Sequence, residues 1–145
     1  MEEMIRELSE AFDIYRSELE KSLKKTKITD GLFGFGHGIK DDACHSRLDE
    51  TVGELAGRIA EDGPAPEDAE RAIRELLCRE DRRNWINEAQ WMLRAVERHA
   101  IQLIPFLTPE TAGVWLKKYT AAYKPWDRLP AQNSVVKALK ERSRA

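Results

Sequence analysis

Apolar residues recur at intervals of three and four along almost the whole chain, and this periodicity restricts the fold more than any other feature. In the first segment, six of them define one face of a helix: Ile5, Leu8, Phe12, Tyr15, Leu19 and Leu23. This spacing is typical of an amphipathic helix that buries one face. No segment alternates apolar and polar residues with the β-branched and aromatic enrichment of a strand. The pattern predicts an all-α protein, a single helical domain over residues 1–145 built as a bundle of five to six helices.

Glycines mark the first interruption of the helical pattern. Helix one is expected to cover about residues 2–26 and to end before Asp30 and Gly31. Residues 31–38 contain four of the eight glycines of the protein, and a glycine inside a helix costs ~1 kcal/mol relative to alanine. We therefore predict an ordered Gly-rich loop at 31–38, between helices one and two. Anion binding at the helix N-terminus behind this loop is a second interpretation, which the carboxylates of Asp41 and Asp42 disfavour.

Capping residues and prolines place the next helix starts. Helix two should begin near Asp41 or Asp42 and end near residue 61. Pro66 suits the first position of the third helix, because the fixed φ of proline is already helical. The run Thr108-Pro109-Glu110 combines an N-cap, a first-position proline and an acid, and it predicts the start of a later helix.

The long stretch at 67–104 contains neither proline nor glycine, but its apolar stripe argues against one straight helix. At 100° per residue, the apolar residues of its first half lie opposite those of its second half. The first set is Ala69, Ile73 and Leu76, and the second is Trp85, Ala89, Val96 and Leu103. We predict a break or sharp bend at 79–84, with Asn84 as the N-cap of a helix over 85–104.

A polar cluster lies at the start of helix two, in line with its apolar stripe. By the same helical arithmetic, Asp41, Cys44 and His45 continue the face that Leu48 and the following apolar residues define. Polar groups that point toward a core need partners or a function. One hypothesis is a divalent-metal or proton-transfer site formed by His37, Asp41 and His45, with His99 and Glu88 supplied by a facing helix.

The alternative for this cluster is purely structural. Asp41 or Asp42 would cap the helix, Cys44 would act as a small buried hydrophobic residue, and a neighbouring polar group would satisfy His45. The sequence lacks the paired ligand spacings of a dinuclear carboxylate or structural zinc centre. Because no complete catalytic constellation is visible, we assign no catalytic residues.

The C-terminal part of the chain differs from the rest in charge. Residues 108–145 carry eight basic and three acidic residues, a net charge of +5, whereas the first 107 residues carry a net charge of −7. Residues 125–133 form a predicted loop bounded by prolines. A last helix capped by Asn133 or Ser134 is expected to lead into a basic tail at 140–145. A basic segment rich in aromatic residues is compatible with nucleic-acid binding, and equally with a solvated face over an aromatic core.

Exposed aromatic and basic residues define a predicted interaction surface. Trp91 lies on the far side of its helix from Val96, so either a second helix covers it or it marks a contact surface. The candidate surface residues are Trp91, Trp126, Lys117, Lys118, Lys124 and Arg128.

Composition excludes several classes of protein. The longest apolar run is far below the ~20 residues of a membrane span, and the first residues lack the apolar stretch of a signal peptide. The two cysteines, Cys44 and Cys78, provide no disulfide framework, so a cytoplasmic location is expected. The favoured function is a protein-interaction or structural module without catalysis that binds a protein partner or a second copy of itself. The alternatives are a metal-binding or acid–base enzyme and a nucleic-acid-binding protein.

Overall fold

The computed structural model describes residues 1–33 and 42–145, and it describes the side chains of 1–24 and 43–145. Within these ranges the chain forms six α-helices and no strand, which confirms the predicted all-α bundle. The helices are α1 (Glu2–Phe33), α2 (Asp42–Glu61), α3 (Pro66–Leu76), α4 (Asn87–Ala95), α5 (Pro109–Ala122) and α6 (Pro130–Ser143). Short 3-10 helices occupy Glu80–Asn84, Val96–Gln102, Ile104–Phe106 and Pro125–Asp127.

The 3-10 helix at Val96–Gln102, called the central 3-10 helix below, lies in the middle of the bundle. It contacts α2, α3, α4 and α6, while α1 packs on α2 and α3, and α5 packs on α6. Seven residues is unusually long for a 3-10 helix. Long 3-10 helices are rare because their hydrogen-bond geometry is poorer than that of an α-helix. Tertiary contacts from four helices therefore have to stabilise this segment.

The apolar periodicity of the sequence corresponds to the core. On α1, five residues of the predicted stripe are buried: Ile5, Leu8, Phe12, Tyr15 and Leu19. On α2, the buried stripe is Leu48, Val52, Leu55 and Ile59, as predicted. Helix burial thus follows the 3.6-residue repeat wherever the backbone is α-helical. No helix of the described ranges has the length and apolar character needed to span a bilayer.

Several predicted boundaries are confirmed. Helix α2 begins at Asp42, and α3 begins with Pro66 in its first turn. Thr108 caps α5 as expected, because its side-chain oxygen accepts a hydrogen bond from the backbone N–H of Thr111 at 3.2 Å. The predicted break between α3 and α4 is also present, and it contains the 3-10 helix Glu80–Asn84.

Helix α1 extends further than predicted. It continues through Asp30 and Gly31 to Phe33, so the first three residues of the predicted Gly-rich loop are helical. One interior glycine costs only ~1 kcal/mol, which does not by itself end a helix of 32 residues. The rest of the predicted loop lies outside the described residues.

The prediction of one α-helix over 85–104, capped by Asn84, is wrong. Helix α4 begins only at Asn87, after Ile86, whose side chain makes no capping hydrogen bond. The backbone then tightens into the central 3-10 helix from Val96. Residues i and i+3 are eclipsed in a 3-10 helix, yet three residues of the predicted apolar stripe, Ala89, Val96 and Leu103, are buried.

The C-terminal segment is more helical than predicted. Helix α6 begins at Pro130 rather than at Asn133 or Ser134, and it runs to Ser143 through most of the predicted basic tail. Proline favours this start because its φ is preset for the first helical turn. The side chain of Gln132 reinforces it by accepting a hydrogen bond from the backbone N–H of Leu129 at 3.0 Å.

Candidate functional site

His45 lies inside the bundle, as the stripe of α2 predicts, and it contacts two neighbouring aromatic residues. Its Nδ1 atom is 2.8 Å from the hydroxyl oxygen of Tyr15, with which it forms a hydrogen bond. The centroid of its ring is 5.4 Å from that of Tyr15 and 5.2 Å from that of Trp91. Cys44 beside it is buried. These contacts are those of a satisfied core histidine.

His99 has a separate partner on α2. Its Nε2 atom is 2.8 Å from Oδ1 of Asp49, and Oδ2 of the same carboxylate accepts a hydrogen bond from Arg98 at 2.7 Å. Burial alone would raise the pKa of Asp49, but the hydrogen bonds from Arg98 and His99 outweigh it and hold the pKa below its usual value. The ring of His99 also lies close against Gly53.

The candidate metal site is only partly described. His37 and Asp41 lie outside the described residues. His45 and His99 each form a hydrogen bond with a different residue, Tyr15 and Asp49 respectively. Within the described part of the chain, no group of three or more histidine, cysteine, aspartate or glutamate side chains is positioned to hold a metal ion. Glu88 is exposed on α4. The metal site at the start of helix two therefore stays a prediction.

The candidate interaction residues lie in different parts of the surface. Trp91 is 53% exposed on α4, and Trp126 is 85% exposed in the 3-10 turn between α5 and α6. Lys117, Lys118 and Lys124 are exposed. Arg128 is half-buried, and its Nε donates a hydrogen bond to the backbone carbonyl of Tyr123 at 3.0 Å.

The most heavily hydrogen-bonded polar group of the core is Glu97, in the central 3-10 helix. Its side chain is 2% exposed and accepts hydrogen bonds from four donors on other elements. The donors are the backbone N–H of Cys78 at 2.7 Å, the hydroxyl of Tyr119 at 2.9 Å, the amide of Gln132 at 2.9 Å and the hydroxyl of Tyr123 at 3.4 Å. This single carboxyl group joins the end of α3, α5 and α6.

Burial has the largest effect on the pKa of Glu97. It raises the pKa of the carboxyl group above its ordinary value, and the hydrogen bonds from Cys78, Gln132 and the two tyrosines offset the rise only in part. Burial also raises the pKa of Tyr119 and of Tyr123, and the neighbouring carboxylate adds to both shifts. Both tyrosines therefore remain hydrogen-bond donors to Glu97 at neutral pH.

Arg94 connects this buried network to the surface. Its Nε and Nη2 atoms donate to Oε1 of Gln132 at 3.0 and 2.7 Å, and Gln132 in turn donates to Glu97. Arg94 also donates to the backbone carbonyl of Asp127, and its guanidinium lies 5.1 Å from the ring centroid of Tyr123. Arg94 thus fixes the turn that carries Trp126 against α4.

A pocket of about 320 Å³ lies above Glu97, and four arginines line it. We call it the arginine pocket. Its lining comprises Leu76, Cys78, Arg79, Arg82, Arg83, Gln90, Leu93, Arg94, Glu97, Ala122, Tyr123 and Asp127. The lining contains two acidic residues, Glu97 and Asp127, and two further carboxylates outside the lining, those of Glu75 and Asp81, form ion pairs with Arg79.

Three of the four arginines have partners from the protein itself. Arg79 forms ion pairs with Glu75 and Asp81, and Arg94 lies 3.8 Å from a carboxylate oxygen of Asp127. Arg82 is buried, stacks 3.5 Å from the ring centroid of Phe12 and donates to the carbonyl of Glu75. Burial and the adjacent charge of Arg79 lower the pKa of Arg82 to about 10.

Arg83 is different, because no acidic partner holds it among the described residues. It is exposed, and its charge acts on the pocket by opposing the rise in the pKa of Cys78 and of Tyr123. Arginine presents a planar fork of donors suited to carboxylate and phosphate oxygens. Arg83 therefore provides free donors at the arginine pocket.

Cys78 is the strained residue of the site. Its φ is +39°, in the left-handed region that a residue with a side chain rarely adopts. Its backbone N–H donates a hydrogen bond to Glu97. Burial and the charge of Glu97 raise the pKa of the thiol to about 11, so the side chain is not a nucleophilic thiolate at neutral pH.

Neither Glu97 nor the arginines of the pocket are among the site residues that the sequence predicts. The signal for Glu97 was present, because Leu93, Glu97, Ala100 and Ile104 follow the spacing of four, three and four that defines a buried face. An acid within such a stripe is as informative as Asp41 and His45 are in helix two. The arginines gave no comparable signal, since they come from the break at 79–84 and from α4.

Comparisons with protein-family models, with curated protein sequences and with solved structures find no match to this chain. The functional conclusion therefore depends on the geometry of the site itself.

Proposed function

We propose that this protein is a binding module that holds an anionic, phosphate-type group in the arginine pocket. The observation that carries the proposal is Arg83, an arginine at a half-enclosed pocket without an acidic partner in the described part of the chain. Arg79 and Arg94 supply further guanidinium groups around the same space. A tetrahedral oxyanion offers acceptor oxygens in several directions, which suits donors that arrive from different elements.

Binding without catalysis is the function that these groups support best. Glu97 accepts hydrogen bonds from four donors, which leaves it little capacity to act as a base on a ligand. The thiol of Cys78 has a pKa of about 11 and is protonated at neutral pH. The pocket therefore offers charge and hydrogen-bond donors rather than a nucleophile.

The anionic group belongs either to a small molecule or to a modified side chain of a partner protein. Trp126 supports the second source, because it is 85% exposed and is adjacent in the chain to Asp127, which lines the pocket. Tryptophan and arginine are enriched among the residues that contribute most to binding between proteins. Both sources share the same recognition chemistry at Arg83.

Calorimetric titration tests the proposal with three probes at constant ionic strength: inorganic phosphate, a phosphoserine peptide and single-stranded DNA. We expect saturable phosphate binding that Arg83→Gln weakens about tenfold or more, since a hydrogen bond to a charged group contributes about 1.5–3 kcal/mol. Arg58→Gln is the matched control, because Arg58 is an exposed arginine on α2 away from the pocket.

The probes also separate the possible sources of the anion. A phosphopeptide that binds more tightly than phosphate, and loses that gain in Trp126→Ala, indicates a partner protein. Equal affinities indicate a small molecule. DNA binding that falls steeply with salt but is unaffected by Arg83→Gln would support the nucleic-acid alternative instead. Absence of phosphate binding, or equal weakening by the Arg83 and Arg58 substitutions, would contradict the proposal.

A further inference from the structure

A second cavity of about 510 Å³ adjoins the arginine pocket, between the end of α3 and the side of α5. The two spaces share Cys78, Arg79, Arg83 and Ala122 in their linings. Arg79 and Arg83 therefore form the boundary between them. A ligand group in either space has access to the same two guanidinium groups.

Four basic residues also line the second cavity. Besides Arg79 and Arg83, it is lined by Arg74 and Lys118, and Glu80 is its one carboxylate among the described residues. Arg74 donates to Glu70 at 2.6 Å, so its charge is balanced within α3. Lys118 is exposed and has no carboxylate partner in the described chain, and its ammonium lies 4.8 Å from the ring centroid of Trp115.

Arg83, which lines both spaces, has no acidic partner among the described residues. The second cavity has a further cation without a carboxylate partner, Lys118. We infer that the ligand carries two phosphate-type groups, one in the arginine pocket and one in the second cavity, with Arg83 contacting both. This inference rests on the proposed function, since both require an anion at Arg83. It adds the number of anionic groups and assigns the second one to Lys118.

Linking two anionic groups makes the second contact intramolecular, so a diphosphate gains affinity over a single phosphate when both sites are real. The probes are inorganic phosphate and inorganic diphosphate, titrated into the full chain by calorimetry without divalent cations and at constant ionic strength. We expect diphosphate to bind about tenfold or more tightly than phosphate. Lys118→Gln should remove most of this gain, so it should weaken diphosphate binding much more than phosphate binding.

Lys137→Gln provides the control for net charge, because Lys137 is an exposed lysine on α6 that lines neither space. It should leave the affinity for both anions unchanged. Equal effects of the Lys118 and Lys137 substitutions would overturn the inference, because the gain would then reflect overall charge.

The two proposals fail in different ways. If phosphate binding depends on Arg83 but diphosphate binds no more tightly, the two-site inference is wrong and the anion pocket remains. If neither anion binds saturably, the proposed function fails with it. Unfolding curves of each variant verify that the substitutions at these exposed positions leave the fold intact.

Discussion

Two polar regions interrupt the apolar core, one beside α2 and one around Glu97, and they differ in how their groups are satisfied. Beside α2, His45 and His99 each have one strong partner, Tyr15 and Asp49. Around Glu97, one carboxyl group collects four donors from three elements, and a pocket with an unpaired arginine lies above it.

This difference separates structural polar groups from a candidate site. A buried histidine that forms a hydrogen bond with a neighbouring residue is satisfied without a ligand, so that neighbour explains its burial. At the pocket, Arg83 has no acidic partner among the described residues, so an anion there would meet a guanidinium group that no protein carboxylate already holds. The comparison therefore points to the Glu97 side of the bundle for binding and to the α2 side for stability.

The largest expected effect is the loss of Glu97. Glu97→Leu keeps a side chain of similar size but leaves several buried donors unpaired, at ~1–3 kcal/mol each. We expect the free energy of unfolding to fall by about 3 kcal/mol or more, as measured by urea denaturation. Glu88→Leu on the exposed face of α4 is the control and should change it by less than ~0.5 kcal/mol. A loss at Glu97 no larger than at Glu88 would show that the carboxyl group is not a structural hub.

A smaller effect is expected on the α2 side, at Gly53. A Cβ atom at this position would lie 2.8 Å from Cε1 of His99, whose ring is held by Asp49. Gly53→Ala should therefore lower the free energy of unfolding by about 1–2 kcal/mol despite the better helix propensity of alanine.

Gly113→Ala supplies the opposite control for this helix glycine. On α5 the nearest atom to an added Cβ is 4.0 Å away, so the propensity gain of up to ~1 kcal/mol should be retained. Stabilisation by both substitutions would mean that the ring of His99 moves freely and that its pairing with Asp49 is weak.

The smallest expected effect is on the pH dependence of stability, which should have opposite signs in the two regions. The pKa of Glu97 is raised in the folded state. Its contribution to the free energy of unfolding is therefore present below the ordinary pKa of 4.5 and is lost as the pH rises through the folded pKa. The pKa of Asp49 is lowered in the folded state. Its contribution to the free energy of unfolding is therefore present above the ordinary pKa of 3.8 and is lost as the pH falls through the folded pKa.

Urea denaturation between pH 3 and pH 8, a range of about five units, tests this contrast with Glu97→Gln and Asp49→Asn. The stability advantage of the unmodified protein over Glu97→Gln should shrink as the pH rises, and its advantage over Asp49→Asn should shrink as the pH falls. Slopes of the same sign would contradict the assignment of the two carboxyl groups to different environments.

The sequence alone determined the helical class, the buried stripes of α1 and α2, and the starts at Asp42, Pro66 and Pro109. These features depend on local periodicity and on capping, which act over one or two helical turns. The direction of His45 toward the core followed from the same arithmetic, and its burial confirms it.

Only the tertiary structure decided how the chain continues after α4 and where its polar groups meet. The central 3-10 helix contacts four helices, and it replaces the α-helix that the sequence predicts for this segment. Glu97 and its donors come from positions 19 to 35 residues apart, so no local pattern links them. The arginine pocket has the same origin, because its lining combines the break after α3 and the side of α4 with Ala122, Tyr123 and Asp127. Only tertiary packing brings segments so far apart in the chain together, and packing depends on the whole sequence at once.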